Sequence, residues 1–194
     1  PGNLLDVALQ SSINGLISLG MTFVIVSGGI DLSVGAVWAL SGAIAAILLR
    51  DGFSLTVSIL VGLLFGCGCG CVSGLLVAKG GLQPFIATLG MMSVFRGLTL
   101  IVTNGYTVYG LPTTFRYIGS GALWGVPIPV FILLAMFFIS LFLFTRCTFG
   151  RHLVAVGENK EAAWLCGIDV EGVTLKAYVY SGLCASIAAV VATA

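Results

Sequence analysis

Apolar residues fall in six runs along the chain, separated by polar or glycine-rich breaks. A membrane-spanning α-helix needs about 20 mostly apolar residues to cross about 30 Å of hydrocarbon, and most of the runs approach or exceed that length. The predicted spans cover residues 7–27, 34–49, 54–78, 84–103, 128–145 and 174–194. The pattern therefore predicts an all-α fold, a polytopic transmembrane helical bundle with about six spans in this sequence.

The longest polar break runs from Arg146 to Lys176 and holds four of the seven acidic residues and the single histidine. Within it, Asn159 is a suitable N-cap, residues 160–166 can form about two turns, and Gly167 favours the left-handed conformation that ends a helix. One side of this helix forms a small apolar face beside Glu161, made of Ala162, Leu165 and Cys166. So short a helix is not stable alone. We expect it to make an interdomain contact, and the alternative is that it rests on its own membrane domain.

The composition places the chain among integral membrane proteins. Hydrophobic residues make up 59% of it, charged residues 8%, and its mean hydropathy is +1.16, whereas soluble proteins average about 25% charged residues. A net charge of +1 spread over the loops indicates no nucleic-acid partner. The six cysteines lie within apolar runs or beside the polar break, which does not fit a disulfide framework. Because the chain starts at Pro1 without Met and ends within an apolar run, we expect residues 1–194 to be a single partial membrane domain of a longer protein.

The positions of lysine and arginine predict the orientation, because cytoplasmic loops carry the excess of these residues. If the 146–173 loop is inside, alternation of the spans also places Lys79 inside, and only Arg50 and Arg116 fall outside. The outer loop 104–129 then carries the aromatic residues Tyr106, Tyr109, Phe115, Tyr117 and Trp124. Such residues are typical of the membrane interface, so we expect these rings to anchor the loop there.

Two breaks between spans are candidates for a solute path, because irregular backbone at membrane depth is tolerated only against protein or a wet cavity. The first, SGGIDLSVG, starts at Ser27. In this break, Asp31 or Ser33 can cap the first turn of the next helix, which would explain these residues structurally. A capping residue can also line the solute path, so the two roles are compatible. The second, GGLQPFIATLG, starts at Gly80 and includes Thr88, whose hydroxyl can bond a solute or a neighbouring helix.

Arg96 is the only basic residue inside the predicted spans 7–103, far from either end of its own span. Such residues usually face the bundle interior or a cavity, and snorkelling toward the membrane surface is the alternative. Asn104 follows the same span and can also bond a polar solute. The predicted path residues are therefore Asp31, Ser33, Thr88, Arg96 and Asn104.

Glycine recurs every fourth residue in the third predicted span, at Gly62, Gly66, Gly70 and Gly74. On a helix this spacing makes a smooth stripe that allows another helix to approach closely. Cys67 and Cys71 are also four residues apart, but without histidine or carboxylate neighbours they predict no metal site. The sequence contains no HExxH, GxSxG or GxxxxGK[ST] motif, which predicts a chain that is not an enzyme and binds no cofactor.

Four stretches carry a family resemblance when they are taken together: SGGIDLSVG from Ser27, QPFIATLGMMSVFRGLTLIVTNG from Gln83, GLPTTFRYIGSG from Gly110 and GRHLVAVGENKEAAWLCGI from Gly150. They resemble the permease subunits of bacterial ABC importers of the ribose type, which carry pentoses, hexoses and related small polar solutes. The last stretch is similar to the importer EAA signature, with Glu161, Ala162, Ala163 and Gly167 at the expected spacing. It departs from the fuller signature because no I-x-L-P follows.

The resemblance implies a complex in the bacterial cytoplasmic membrane that contains two permease copies, two ATPase domains and a periplasmic or lipid-anchored solute-binding protein. The segment that includes Gly157, Asn159 and the EAA-like residues would be a coupling helix that docks into the ATPase subunit, which alone uses ATP. The outer loop would be a surface for the binding protein, and membrane lipid would surround the spans. The resemblance further implies that one early span and the last few spans of the longer permease are missing from this sequence.

Two other functions remain open at this level. The broken helices and Asp31, as a possible proton or cation site, are also compatible with a secondary transporter driven by an ion gradient. The polar loop is equally compatible with a membrane scaffold that recruits a cytoplasmic partner without transport. The sequence does not identify the solute.

Overall fold

The structure, a computed structural model, describes residues 2–123 and 125–194, and it describes side chains from residue 7 onward. Trp124, one of the predicted interface aromatics, lies outside the described residues. The elements in chain order are α1 (Gly2–Val26), α2 (Val34–Arg50), α3 (Leu55–Ala78), α4 (Pro84–Thr103), α5 (Thr113–Ser120), β1 (Ala122–Leu123), β2 (Val126–Pro127), α6 (Ile128–Thr145), α7 (Thr148–Glu158), α8 (Lys160–Leu165) and α9 (Val170–Thr193). The predicted polytopic helical bundle is confirmed.

Five of these helices, α1, α3, α4, α6 and α9, are long and apolar enough to cross a membrane, and α2 is a shorter apolar helix of 17 residues. The bounds of α4 and α6 agree with the predicted spans. By contrast, α9 begins at Val170, four residues before the predicted start. The reason is a cap: the Asp169 carboxylate accepts a hydrogen bond from the Gly172 N–H at 2.9 Å, which extends the helix into the polar break.

The central helix of the bundle is α9, which packs against α1, α2 and α3. Within its most apolar window, 61% of the residues are buried, against 17% for the windows of α4 and α6. Small side chains make this position possible, because they let three helices approach one axis. The small buried residues of α9 include Ala177, Ser181, Gly182, Ala185, Ser186, Ala188 and Ala189.

The glycine stripe of α3 lies where that helix meets its two closest neighbours. Gly62 faces α2, whereas Gly66, Gly70 and Gly74 face α9. A Cβ atom added at Gly70 would overlap the carbonyl oxygen of Tyr178, so the two backbones are in direct contact there. Lipid gives apolar helices no hydrophobic reason to associate, and such close backbone contact supplies van der Waals packing instead.

The stretch between α4 and α6 was predicted as a loop, but it contains regular secondary structure. It contains the short helix α5 and a two-stranded antiparallel hairpin in which Leu123 pairs with Val126. Phe115 on α5 is fully buried in a cluster with Leu49 and Val190, so it holds α5 on the bundle instead of anchoring an interface. The other described aromatic residues of the stretch are exposed, at Tyr106, Tyr109 and Tyr117.

Candidate functional site

The loop between α1 and α2, the end of α3 and the helices α7 and α8 lie at one end of the bundle. Gly28 lies against Gly157, and Val77 shares a buried cluster with Leu153. Most basic residues lie at this end or near it, namely Lys79, Arg146, Arg151, Lys160 and Lys176, whereas Arg50 and Arg116 lie toward the other. The excess of positive charge predicts that this end is cytoplasmic, and we call it the cytoplasmic end.

The short helix α8 has a well-formed cap at each terminus. The Asn159 side chain accepts a hydrogen bond from the Ala162 N–H at 3.0 Å, as an N-cap does. At the other end Gly167 has a φ of 80°. Its N–H donates to the Trp164 carbonyl at 2.9 Å and the Ile168 N–H donates to the Ala163 carbonyl at 3.0 Å, which is the Schellman arrangement. Both predicted caps are present, and the helix ends one residue earlier than predicted.

One face of α8 is buried and the other has no partner among the described residues. Ala163 is buried in the cluster that contains Leu153 and Val173. Trp164 and Leu165 are 69% and 77% exposed, and the predicted apolar face, Ala162, Leu165 and Cys166, is exposed as well. Trp164 was not among the predicted contact residues. A helix that is held rigidly and presents a large aromatic and a leucine outward has the character of a docking surface.

A groove of about 440 Å³ runs between α7 and α8 on the same side. Its lining is partly polar, and it consists of Ala155, Glu158, Asn159, Ala162, Ala163, Cys166 and Ile168. Glu161 lies beside it on the exposed surface of α8. The exposed helix and the groove therefore offer adjoining apolar and acidic contacts to one partner.

The helix α7 was missed at the level of the sequence, where the whole polar break was predicted to hold only one helix. Phe149, Leu153 and Val156 recur at the spacing of one helical face, and this signal could have identified it. In the structure Leu153 and Val156 are fully buried. Phe149 stacks on Phe23 of α1 with the ring centroids 5.9 Å apart. These contacts attach α7 firmly to the bundle.

Three of the predicted path residues meet in one buried cluster at the α1–α2 loop. Asp31 is 3% exposed; its Oδ1 accepts hydrogen bonds from the Ser33 N–H and hydroxyl at 2.9 and 2.6 Å. Its Oδ2 accepts one from the Ser181 hydroxyl at 3.2 Å. The adjacent carbonyl of Ile30 accepts hydrogen bonds from Thr88 at 3.3 Å and from Tyr178 at 3.1 Å. The loop is thereby tied to α4 and α9.

Asp31 does not cap α2 in the predicted way, and neither does Ser33. Ser33 occupies the N-cap position, but its side chain makes no capping bond to the first turn of α2 and donates to Asp31 instead. Burial raises the pKa of the Asp31 carboxyl, and the hydrogen bonds from Ser33 and Ser181 oppose that rise. The only ion pair among the described residues joins Arg50 and Asp51 at the opposite end of α2, so the Asp31 carboxylate is balanced by hydroxyl and amide donors.

The other two predicted path residues lie elsewhere on α4. Thr88 and Phe95 turn toward the bundle, whereas Arg96 is exposed on a different face. Asn104 ends the helix in a left-handed conformation with a φ of 52°. The five candidates thus fall in three places: a sealed cluster at the α1–α2 loop, an exposed face of α4 at Arg96, and the C-terminal end of α4 at Asn104. In the described part of the chain no three His, Cys, Asp or Glu side chains are grouped to hold a metal ion.

Comparison with known proteins matches this chain to transport permeases. The family model described as "Branched-chain amino acid transport system / permease component" matches residues 3–194. The chain is 43% identical to the ribose import permease protein of Bacillus subtilis, over 100% of this chain and 61% of that protein. It is 41% identical to the D-allose transport system permease protein of Escherichia coli, over 99% of this chain and 59% of that protein.

A third relative is the L-arabinose ABC transporter permease protein of Azospirillum brasilense, which is 35% identical over 98% of this chain and 56% of its own length. The chain therefore spans about 60% of the length of the curated relatives it matches. No significant match was found among solved structures.

Proposed function

The chain belongs to the family of permease components of branched-chain amino acid transport systems, and on this premise we propose that it is the transmembrane subunit of an ABC importer that moves a monosaccharide into the cytoplasm. Relatives named for ribose, D-allose and L-arabinose transport support a sugar as the solute. The importer would lie in the bacterial cytoplasmic membrane. Because the chain spans about 60% of its relatives' length, the activity of the whole protein is part of the proposal.

The observation that carries the proposal is the exposed, doubly capped helix α8 at the cytoplasmic end. Its caps fix the backbone, Ala163 holds it on the bundle, and Trp164 and Leu165 are left exposed. An ATPase subunit that receives these two side chains in a groove would bury an apolar surface that water otherwise covers. In this proposal the partner binds and hydrolyses ATP, and this chain binds no cofactor itself.

The exposed face of α4 supports a location for the solute path. Arg96 lies inside a membrane span and has no partner among the described side chains. A cation at the centre of a bilayer costs roughly 2.5–3.5 kcal/mol on insertion scales, so such residues face protein or water. Ser93, one turn before it, is exposed as well. We therefore place this face toward a second permease copy, with Arg96 available to hydrogen-bond sugar hydroxyls.

Uptake of labelled sugar into vesicles tests the proposal. The full-length permease is reconstituted with its ATPase and binding protein, and uptake should require ATP and the ATPase. Uptake that continues without the ATPase but stops when the ion gradient is collapsed would instead identify a secondary transporter. Binding of a cytoplasmic partner with no uptake under either condition would identify a scaffold.

The docking role of α8 is tested by two substitutions in the same complex. Gly167→Pro removes both the φ of 80° and the N–H donor to Trp164, and Glu161→Lys reverses the charge beside the exposed face. We expect both variants to reach the membrane and to lose co-purification with the ATPase and ATP-driven uptake. Asp51→Lys is the control, since it reverses a charge at the opposite end of the bundle and should leave co-purification intact. Normal association and uptake in both α8 variants would contradict the docking role.

A further inference from the structure

We propose that the backbone contact between Gly157 and residues 26–28 is the joint through which a displacement of α8 reaches the membrane spans. The inference rests on the proposed docking of α8 to an ATPase and assigns Gly157 a positioning role behind the docking surface. Gly157 lies in the last turn of α7, two residues before the N-cap of α8. It is therefore the part of α7 that follows any movement of α8 most directly.

The contact is made by main-chain atoms on both sides. A Cβ atom at Gly157 would overlap the carbonyl oxygen of Val26 and would lie 3.4 Å from the carbonyl carbon of Ser27. From the other side, a Cβ atom at Gly28 would be 3.7 Å from the Gly157 carbonyl oxygen. A contact without side chains has no rotamers that absorb a shift, so a displacement on one side must be followed on the other.

The cytoplasmic side of this joint is stiff. Phe149 stacks on Phe23, and Leu153 and Val156 are fully buried between α7 and the bundle. Ala163 of α8 belongs to the same buried cluster. Close-packed interiors transmit strain instead of deforming locally, so α7 and α8 are expected to move as one body.

On the membrane side, the loop is fastened to two spans within a few residues of the contact. Thr88 of α4 and Tyr178 of α9 both donate to the Ile30 carbonyl, and Ser181 of α9 donates to Asp31. Since α9 is the central helix of the bundle, a shift of residues 26–28 acts on its packing directly. The route ends on α4, which also carries Arg96.

Two other routes exist, because α8 is joined to α9 along the chain through residues 166–169 and Phe149 of α7 stacks on Phe23 of α1. If these links alone transmitted the motion, Gly157 would matter only for folding. The routes are separated by a substitution that disturbs the Gly157 contact and leaves the 166–169 link and Phe149 unchanged.

The substitution is Gly157→Ala in the full-length permease with its ATPase and binding protein. We expect the Gly157→Ala molecules that reach the membrane to co-purify with the ATPase, while ATP-driven sugar uptake per molecule of permease falls at least tenfold and stimulation of ATP hydrolysis by the loaded binding protein is lost. Gly68→Ala is the matched control, because a Cβ there meets nothing within 4 Å, and it should transport normally. Gly182→Ala overlaps the Gly66 carbonyl inside the bundle. It shows the effect of a packing defect alone, so it should lower accumulation and leave uptake per molecule of permease normal.

A distance measurement follows the motion itself. In a background without native cysteines, spin labels are placed at Leu32→Cys in the loop or Lys160→Cys at the start of α8, each paired with Tyr109→Cys at the other end. With Gly157 present, ATP should change both distances, and in Gly157→Ala it should change only the distance from residue 160. A normal response of residue 32 in Gly157→Ala, or normal uptake, would overturn the inference. Loss of ATPase co-purification in Gly157→Ala would overturn it too, whereas failure of the unmodified protein to bind the ATPase would refute the proposed function.

Discussion

The contact between α3 and α9 yields a quantitative prediction for Gly70→Ala. A methyl group at this position would overlap the Tyr178 carbonyl oxygen and would lie 3.1 Å from the Cα of Val179. Both obstacles are backbone atoms of the central helix, so neither can rotate away. The substitution must push α3 and α9 apart along a contact where Gly66 and Gly74 are also closely packed.

Two opposing effects determine the magnitude. Inserting a methylene into a well-packed core costs about 1–3 kcal/mol, and backbone obstacles place Gly70 at the upper end of that range. Replacing glycine by alanine within a helix returns about 1 kcal/mol of helix propensity. The net expected loss is about 2 kcal/mol, or about a 30-fold decrease in the ratio of folded to unfolded protein. At Gly68, where a Cβ meets nothing within 4 Å, only the propensity gain remains.

The assay is equilibrium unfolding of the purified full-length permease in mixed micelles, with an increasing fraction of denaturing detergent. Gly70→Ala should shift the unfolding midpoint to a lower detergent fraction, and Gly68→Ala should raise it slightly. The opposite signs of the two effects distinguish interhelical contact from a general consequence of losing glycine. If Gly70→Ala is as stable as Gly68→Ala, the α3–α9 contact does not have the geometry described above.

Substitutions at three further positions test other contacts, two by the same unfolding measurement and the third by amide exchange. Asp31→Asn retains an acceptor for Ser33 and should cost less than about 1 kcal/mol, whereas Asp31→Leu leaves buried donors unpaired at about 1–3 kcal/mol each; equal losses would contradict the hydrogen-bonding account. Ser140→Ala removes a hydrogen bond of 2.6 Å to Tyr180 between α6 and α9 and should cost about 1 kcal/mol; no loss would show that the two hydroxyls are not paired. Asn159→Ala removes the cap of α8 and should cost about 1 kcal/mol locally, measured as faster amide exchange in α8 with the global midpoint unchanged; unchanged exchange would contradict the cap.

The spans were predictable from the sequence because their ends coincide with residues that interrupt helices. Pro84 begins α4 and the left-handed Asn104 ends it, and the apolar run between them is long enough to cross a bilayer. The same reasoning located α8, since Asn159 and Gly167 are strong local signals on either side of a short helix. In these segments local propensity and burial in the membrane agree, which is the condition under which sequence reasoning succeeds.

The errors lie where tertiary contacts determine the structure. In α7, Leu153 and Val156 are buried in a cluster with residues of α1 and α9, and without that surface the segment is only a moderately polar stretch of eleven residues. Phe115 was assigned to the interface because aromatic residues are common there, but it fills a gap between α2 and α9. The exposure of Trp164 could not be predicted either. It depends on which face of α8 packs against the bundle, and only the structure shows that this is the face of Ala163.

The geometry of Asp31 favours an anchoring role over a place in the solute path. A solute-binding carboxylate must have free acceptor positions facing an open cavity, whereas both oxygens of Asp31 are engaged and the side chain is 3% exposed. A buried carboxylate that no cation balances is costly, and losing even one of its donors would leave that cost uncompensated. Such a group resists separation of the loop from Ser181. This resistance is the property required of a loop that transmits displacement from Gly157 to α9.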